Sequence, residues 1–186
     1  GVYNAPMDQK EKLQIFTIGH STRPIEEFLG LLHENGVERL IDIRTVPRSR
    51  YNPQYEQNAL QQTLPANGIE YIYLKELGGL RPKTQNSINQ GWRVQSFRNY
   101  ADYMQTEAFA QSINRLIELA GQKPSAIMCA EAVPWRCHRS LVGDALLVRS
   151  LLVTDIMGPG QTRVHSLTPF AKTEGERIWY PAEGSK

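Results

Sequence analysis

Both cysteines of the chain, one of its four histidines, an acid and two arginines fall within eleven residues, Cys129-Ala-Glu-Ala-Val-Pro-Trp-Arg-Cys-His-Arg139. Thiol, carboxylate, imidazole and guanidinium groups at this density can do nucleophilic, redox or acid–base chemistry. Cys129 reads in two ways. A following helix amino terminus with Arg136 or Arg139 would favour a thiolate, making it a nucleophile or redox thiol. It reads equally as a small buried hydrophobe, because free cysteine is among the most buried residue types. Glu131, just past an apolar run, would be desolvated unless paired, so it is either an acid–base group or one half of a salt bridge to Arg139 or Arg44.

Spacing narrows the chemistry. Seven residues separate Cys129 from Cys137, which does not match the Cys-x-x-Cys redox motif. A metal site on Cys129, Cys137 and His138 lacks the close paired spacing of zinc modules, so no metal is assigned. Six residues lie between Cys129 and Arg136, one more than in the loop of cysteine phosphatases. No Walker loop, Gly-x-Gly-x-x-Gly or Gly-x-Ser-x-Gly is present, and nothing calls for a cofactor. Cys137 reads as packing.

These groups need a scaffold, and apolar periodicity supplies one. Ile15–Ile18, Arg39–Ile43, Ile69–Leu74 and Ala126–Cys129 read as strands, with Leu151–Ile156 as a fifth and Arg163–Leu167 as a closing segment. Between them, Ile25, Phe28, Leu29 and Leu32 repeat at helical spacing, announced by Thr22, Pro24 and Glu26. Further helices are expected over about 56–64, 97–104, 109–120 and 137–149. Residues 44–58 and 75–95 read as loops. Strands alternating with helices predict α/β architecture: a single three-layer domain, a mainly parallel sheet with helices on both faces.

In such a sheet, ligands bind beyond the carboxyl ends of the strands. Gly19-His20-Ser21, Asp42-Ile-Arg44 with Pro47-Arg48-Ser49, and Cys129-Ala-Glu131 all fall there. His20 and His138 could each move protons near neutral pH, or simply cap a helix or brace a loop. Arg44, Arg48, Arg50, Arg81 and Arg139 suit an anionic ligand, and Tyr51, Tyr55 and Trp92 nearby could stack nucleobases. The opposing reading is a solvated loop with snorkelling arginines.

Composition sets outer limits. The chain has 186 residues and a net charge of +2, unevenly spread. Residues 1–38 carry −3 and residues 39–98 carry +5, while the rest balances nine bases against nine acids. A local basic patch is plausible and a globally cationic nucleic-acid binder is not. No run approaches the ~18 apolar residues of a membrane span, and the amino terminus lacks an apolar signal segment. Two cysteines are no disulfide framework, so a cytoplasmic location and free thiols are expected. Residues 1–6 read as a vector remnant ahead of a native Met7, leaving 7–186 as one α/β domain.

Taken together and in order, Thr17-Ile-Gly-His-Ser21, Asp42-Ile-Arg44 with Pro47 and Ser49, Leu77-Gly-Gly79, and Cys129-Ala-Glu131 with Cys137-His-Arg139 resemble the domain of unknown function 488 family. The resemblance spans roughly Ile15 to Leu167. It implies a compact bacterial or archaeal α/β protein in which these residues share one site, with a loose link to nucleic-acid metabolism and no stated reaction.

The expectation is therefore an enzyme acting on a phosphate-bearing small molecule, nucleotide or nucleic-acid component. Cys129, Glu131 and His20 are its candidate catalytic groups. Ser21, Asp42, Arg44, Arg48, Ser49, His138 and Arg139 are candidate ligand-binding groups. The alternatives are a non-enzymatic nucleic-acid-binding module using residues 39–98, or a metal-binding protein through the Cys/His cluster. No membrane partner is expected, and the sequence does not fix an oligomeric state.

Overall fold

The computed structural model describes residues 12–184, so the expected remnant at 1–6 and Met7 lie outside the described residues. Strands β1 (Gln14–Gly19), β2 (Arg39–Asp42), β3 (Glu70–Tyr73), β4 (Ser125–Cys129), β5 (Leu152–Gly158) and β6 (Gln161–Val164) form one sheet in the order β3-β2-β4-β1-β5-β6. All neighbours run parallel except β6, which returns antiparallel to β5. The closing segment is thus an edge strand that ends at Val164, short of the expected Leu167. Its exposed polar side chains carry no apolar alternation.

Side chains alternate across a strand, so each strand feeds two cores. Ile18, Leu40, Ala126, Met128 and Ile156 meet α1 (Ile25–Glu34) and α2 (Gln57–Ala66) on one face. Ile15, Ile41, Ile127 and Val153 meet α3 (Gln95–Tyr103), α4 (Glu107–Gln122) and α5 (Arg139–Leu147) on the other. This is the single three-layer α/β domain that the periodicity predicts.

The apolar stripe of α1 is turned slightly from its expected position. Phe28, Leu31 and Leu32 are fully buried, while Ile25 and Leu29 lie at the margin. Thr22 forms no cap. The helix starts at Pro24, with Glu26 and Glu27 in its first turn to complement the dipole. A small hairpin, β7 (Lys172–Glu174) and β8 (Arg177–Trp179), escapes sequence reading because its strands are short and largely polar. It matters for packing, since Ile178 and the fully buried Tyr180 complete the second core. Among the described residues no helix is long and apolar enough to cross a membrane.

One polar string runs through the face covered by α5. The shared register places Thr17 beside Asp155 and Ile127 on adjacent strands. Thr17 donates to Asp155 at 2.5 Å, and His165 lies between Asp155 (3.8 Å) and Asp144 of α5 (2.9 Å). Tyr180 and Thr168 also donate to Asp144, at 2.8 and 2.6 Å. Gly143 leaves room for the imidazole, since a Cβ there would stand 2.9 Å from its Nε2.

Burial alone would lower the pKa of His165. The hydrogen bonds and charges of the two carboxylates outweigh it and push the pKa up to about 9. A raised histidine pKa stabilises the fold fully below about pH 6.5 and loses that contribution as pH rises through about 9. The shift corresponds to about 3 kcal/mol. We expect the urea-unfolding free energy of His165→Gln to lack this alkaline decline when compared with wild type between pH 6 and 10. Parallel pH slopes for the two proteins would show that His165 is not charged in the fold.

Candidate active site at the strand ends

Helix α1 follows β1 onto one face, whereas α5 follows the neighbouring β4 onto the other. Chains leaving in opposite directions open a crevice at the carboxyl ends of β1 and β4. The backbone pairing of the two strands continues past their ends: His20 N donates to Cys129 O and Ser21 N to Ala130 O, both at 2.9 Å. Gly19 is required here by close approach. A Cβ at this position would fall 1.6 Å from Glu131 O.

Arg139 opens α5 and is the largest fully buried side chain, at 1% exposure. Its Nε donates to Cys129 Sγ at 3.1 Å and its Nη1 to Thr17 Oγ1 at 2.5 Å. Nη2 donates to the carbonyls of Glu131 and Ala132, both at 3.0 Å. A guanidinium keeps its charge in a protein, so the buried cation needs a nearby anion. The Cys129 thiol is the ionisable group in direct contact with the guanidinium. Burial opposes ionisation of this thiol, but the neighbouring Cys137, the charge and Nε–H of Arg139, and the Glu131 backbone together hold its pKa below the ordinary value. Cys137 moves the other way. Burial and the neighbouring Cys129 sulfur push it well up, so it stays a protonated donor. The backbone N–H of Arg139 approaches Cys137 Sγ at 3.5 Å, so one residue contacts both sulfurs.

A second cluster occupies the opposite face. Asp42 accepts from Arg44 Nε at 3.0 Å and Nη2 at 2.8 Å, and from Tyr71 Oη at 2.6 Å. Arg44 Nη1 also approaches His20 Nε2 at 3.5 Å. His20 stacks on Tyr55 at 4.2 Å and bonds through Nδ1 to Ser21 O at 2.8 Å. Since a carbonyl only accepts, Nδ1 carries the proton and Nε2 presents a lone pair to Arg44. Burial, aided by the Arg44 charge, pushes the His20 pKa down to about 4. His138 reaches about 4 for the same leading reason, with Arg81 and Arg139 adding to burial. Its Nε2 bonds to Ile43 O at 3.1 Å, and Gly79 gives the ring room, because a Cβ there would stand 2.6 Å from Nδ1.

The two clusters meet over the strand ends. A cavity of ≈ 320 Å³ is lined by Arg44 and Thr45 from one side, by Cys129, Glu131, Arg136, Cys137 and His138 from the other, and by Gly79, Leu80 and Phe97 above. The structure therefore brings Arg44, Cys129, Glu131 and His138 of the expected residues to one cavity. It keeps others off it. Arg139 lies beneath the sulfur with its donors engaged, and Asp42 and His20 lie behind Arg44. Arg48 lines a separate surface cavity with Glu56 and Lys75, and Ser49 N bonds to Glu56. Ser21 is held in the left-handed region, φ 49°, by its bond to Ala130.

One expectation fails plainly. The Glu131 side chain is exposed and forms no salt bridge to Arg139 or Arg44; it is the Glu131 carbonyl that serves the buried cation. The expected grouping of Tyr51, Tyr55 and Trp92 also dissolves. Tyr51 is 85% exposed, Tyr55 is fully buried under His20, and Trp92 packs with Phe97, Phe170 and Tyr180. Trp135 went unassigned by sequence, and Thr17 entered only through the family resemblance. Strand parity with Cys129 would have placed Thr17 on the same face. Among the described residues no group of three or more His, Cys, Asp or Glu side chains is placed to hold a metal ion.

The pair makes a reactivity test direct. At pH 7, Cys129 should react with iodoacetamide faster than an ordinary thiol of pKa about 8.5, and Cys137 should lag far behind. Cys137→Ala, which removes the S–H donor, should shift the Cys129 reactivity profile upward in pH and slow the reaction at pH 7 several-fold. Mass-spectrometric mapping of the alkylated peptide across pH 5–10 separates the two thiols. A Cys129 that stays unreactive until about pH 8.5 contradicts the thiolate.

Comparison with known proteins adds one finding. A family model described as "Domain of unknown function DUF488" matches residues 24–146, a span that holds Asp42, Arg44 and Cys129–Arg139 but stops short of His20 and His165. No curated protein and no solved structure matches.

Proposed function

Because the chain belongs to the family described as Domain of unknown function DUF488, whose description carries no reaction, we propose its function from the site itself: an enzyme that uses the Cys129 thiolate on a phosphate-bearing small molecule, nucleotide or nucleic-acid component. The single observation that carries this reading is the 3.1 Å contact from the buried Arg139 Nε to Cys129 Sγ, under a cavity whose wall also bears Arg44 and Arg136.

The roles divide by position. Arg136, exposed at the rim, draws the anion in. Arg44 is held by both oxygens of Asp42, and His20 blocks one side of its Nη1, so its orientation is set before a ligand arrives. Asp42 and His20 are thus positioning residues. The Cys129 thiolate attacks the electrophilic atom of the substrate. A bond from sulfur to that atom forms, and the bond to the leaving group breaks. The leaving group departs with the bonding pair and takes a proton from solvent at the mouth. Water then cleaves the bond to sulfur, gives up a proton at the mouth, and regenerates the thiolate. Imidazoles with pKa near 4 hold no acid proton to give at neutral pH, so His20 and His138 are not the proton source.

Two unpaired thiols fit a reducing compartment such as the cytoplasm. The nucleic-acid-module reading draws less support. Arg39 and Arg44 of its basic stretch are buried in ion pairs, and Arg81 and Arg98 are held by Tyr103 and the Trp92 carbonyl.

Inorganic phosphate should slow alkylation of Cys129 by iodoacetamide at pH 7 in a saturable way. Arg136→Ala should weaken this protection about tenfold without changing the reactivity of Cys129 in phosphate-free buffer. Protection by phosphate no greater than by chloride at equal ionic strength would remove the anion site, and this function with it.

A further inference from the structure

The thiol cavity is small. At ≈ 320 Å³ it has room for about ten waters, enough for a phosphate or a short acid and not for a larger body beside it. A second cavity of ≈ 820 Å³ adjoins it. Phe97 lines both, so a single ring stands between them. The character of the second is different. Its walls are Trp92, Phe97, Trp135 and Phe170, with Arg93 at the edge.

The turn between β4 and α5 joins the two chemistries. In Pro134–Arg136, Trp135 faces the aromatic cavity and the next residue, Arg136, lines the thiol cavity. Neighbouring Cα atoms lie about 3.8 Å apart, so a cation for an anionic group and an aromatic surface for a ring are fixed side by side. Trp135 is 53% exposed and Phe170 is 40% exposed. Large aromatic surface left in water next to a polar pocket is what a ligand-binding groove presents. Trp135 is also steadied, with Arg163 of β6 lying 5.1 Å over its ring. Trp92 is held by edge contacts to Phe97 at 5.3 Å and Phe170 at 4.9 Å, so the opposite wall is equally well supported.

We propose that the aromatic cavity is the second half of the substrate site, taking the planar ring of a ligand whose anionic group sits over Cys129, as in a nucleoside monophosphate. This rests on the anion-binding reading of the thiol cavity and narrows it. Of phosphate-bearing molecules, those with a stacked aromatic body fill both cavities, whereas a sugar phosphate fills only the first. A base stacked on indole is held through its π-face, largely independent of which base it is. Arg93 and Glu183 both line the aromatic cavity and offset one another, so the charge that suits a negative ligand is that of Arg136 in the thiol cavity.

Calorimetric titration of the intact protein with AMP, UMP and ribose 5-phosphate tests the idea. We expect AMP and UMP to bind at least about tenfold more tightly than ribose 5-phosphate. Trp135→Ala, at an exposed position where truncation spares the core, should erase that advantage and leave ribose 5-phosphate unchanged. Equal affinities for all three in wild type would overturn the aromatic half alone, with the anion site intact. A nucleotide preference that survives both Trp135→Ala and Phe170→Ala would also overturn it. If none of the three binds and none shields Cys129 from alkylation, the anion site fails first and this inference falls with it.

Discussion

A guanidinium with almost no contact with water is the constraint around which this molecule is arranged. Removing a cation from water costs several kcal/mol, and the cost is recovered through hydrogen bonds in good geometry and a nearby counter-charge. Arg139 engages four of its five N–H donors, with partners from three directions: a sulfur from β4, a hydroxyl from β1 and two carbonyls from the following turn. Each partner is placed by backbone rules. Strand parity puts Thr17 and Cys129 on one face, and Gly19 lets the Glu131 carbonyl descend onto the sheet. Neutralising or misplacing any of them leaves a buried charge unmet.

The same residue joins two systems of opposite purpose. Toward the crevice it lowers the pKa of the Cys129 thiol. Toward the interior it passes through Thr17 to Asp155, His165 and Asp144, where charges of alternating sign follow one another into the hairpin-covered core. The interior string is structural, binding α5, β5 and the carboxyl-terminal hairpin to one another. Reactive and bracing groups therefore share a wire. Asp155 Oδ2 has no hydrogen-bond partner among the described atoms, so the least satisfied point of this string lies between the two systems.

How far the sequence could be read depends on the range of the physics involved. Strands β1, β2 and β4 and helix α4 stand out because their apolar spacing is long or dense enough to fix the period. The site region was legible because reactive residues sat at strand ends, where parallel sheets leave a crevice. What was not legible needed pairings across the chain. Glu131 looked like a buried carboxylate because it follows a buried strand, yet one peptide unit past the sheet edge the backbone goes inward and the side chain goes out. His165 is separated by 21 residues from Asp144, and no local pattern links them. Trp135 seemed incidental beside Arg136 until the turn at Pro134 directed the pair to different cavities. His20 and Arg44 were rightly brought near one another, but the sequence could not say that His20 would stand behind the arginine rather than beside the ligand.

The partner chosen for the thiol also determines how such a site responds to acidity. Where an imidazole keeps a cysteine ionised, turnover rises as the thiol loses its proton and falls again as the imidazole does, giving a bell-shaped curve. A guanidinium has no second ionisation within reach of physiological pH. Under the function proposed above, the Cys129 thiolate is held by a charge that cannot be switched off. On that proposal its working range is open toward alkali, limited there by the endurance of the fold and not by the chemistry of the site.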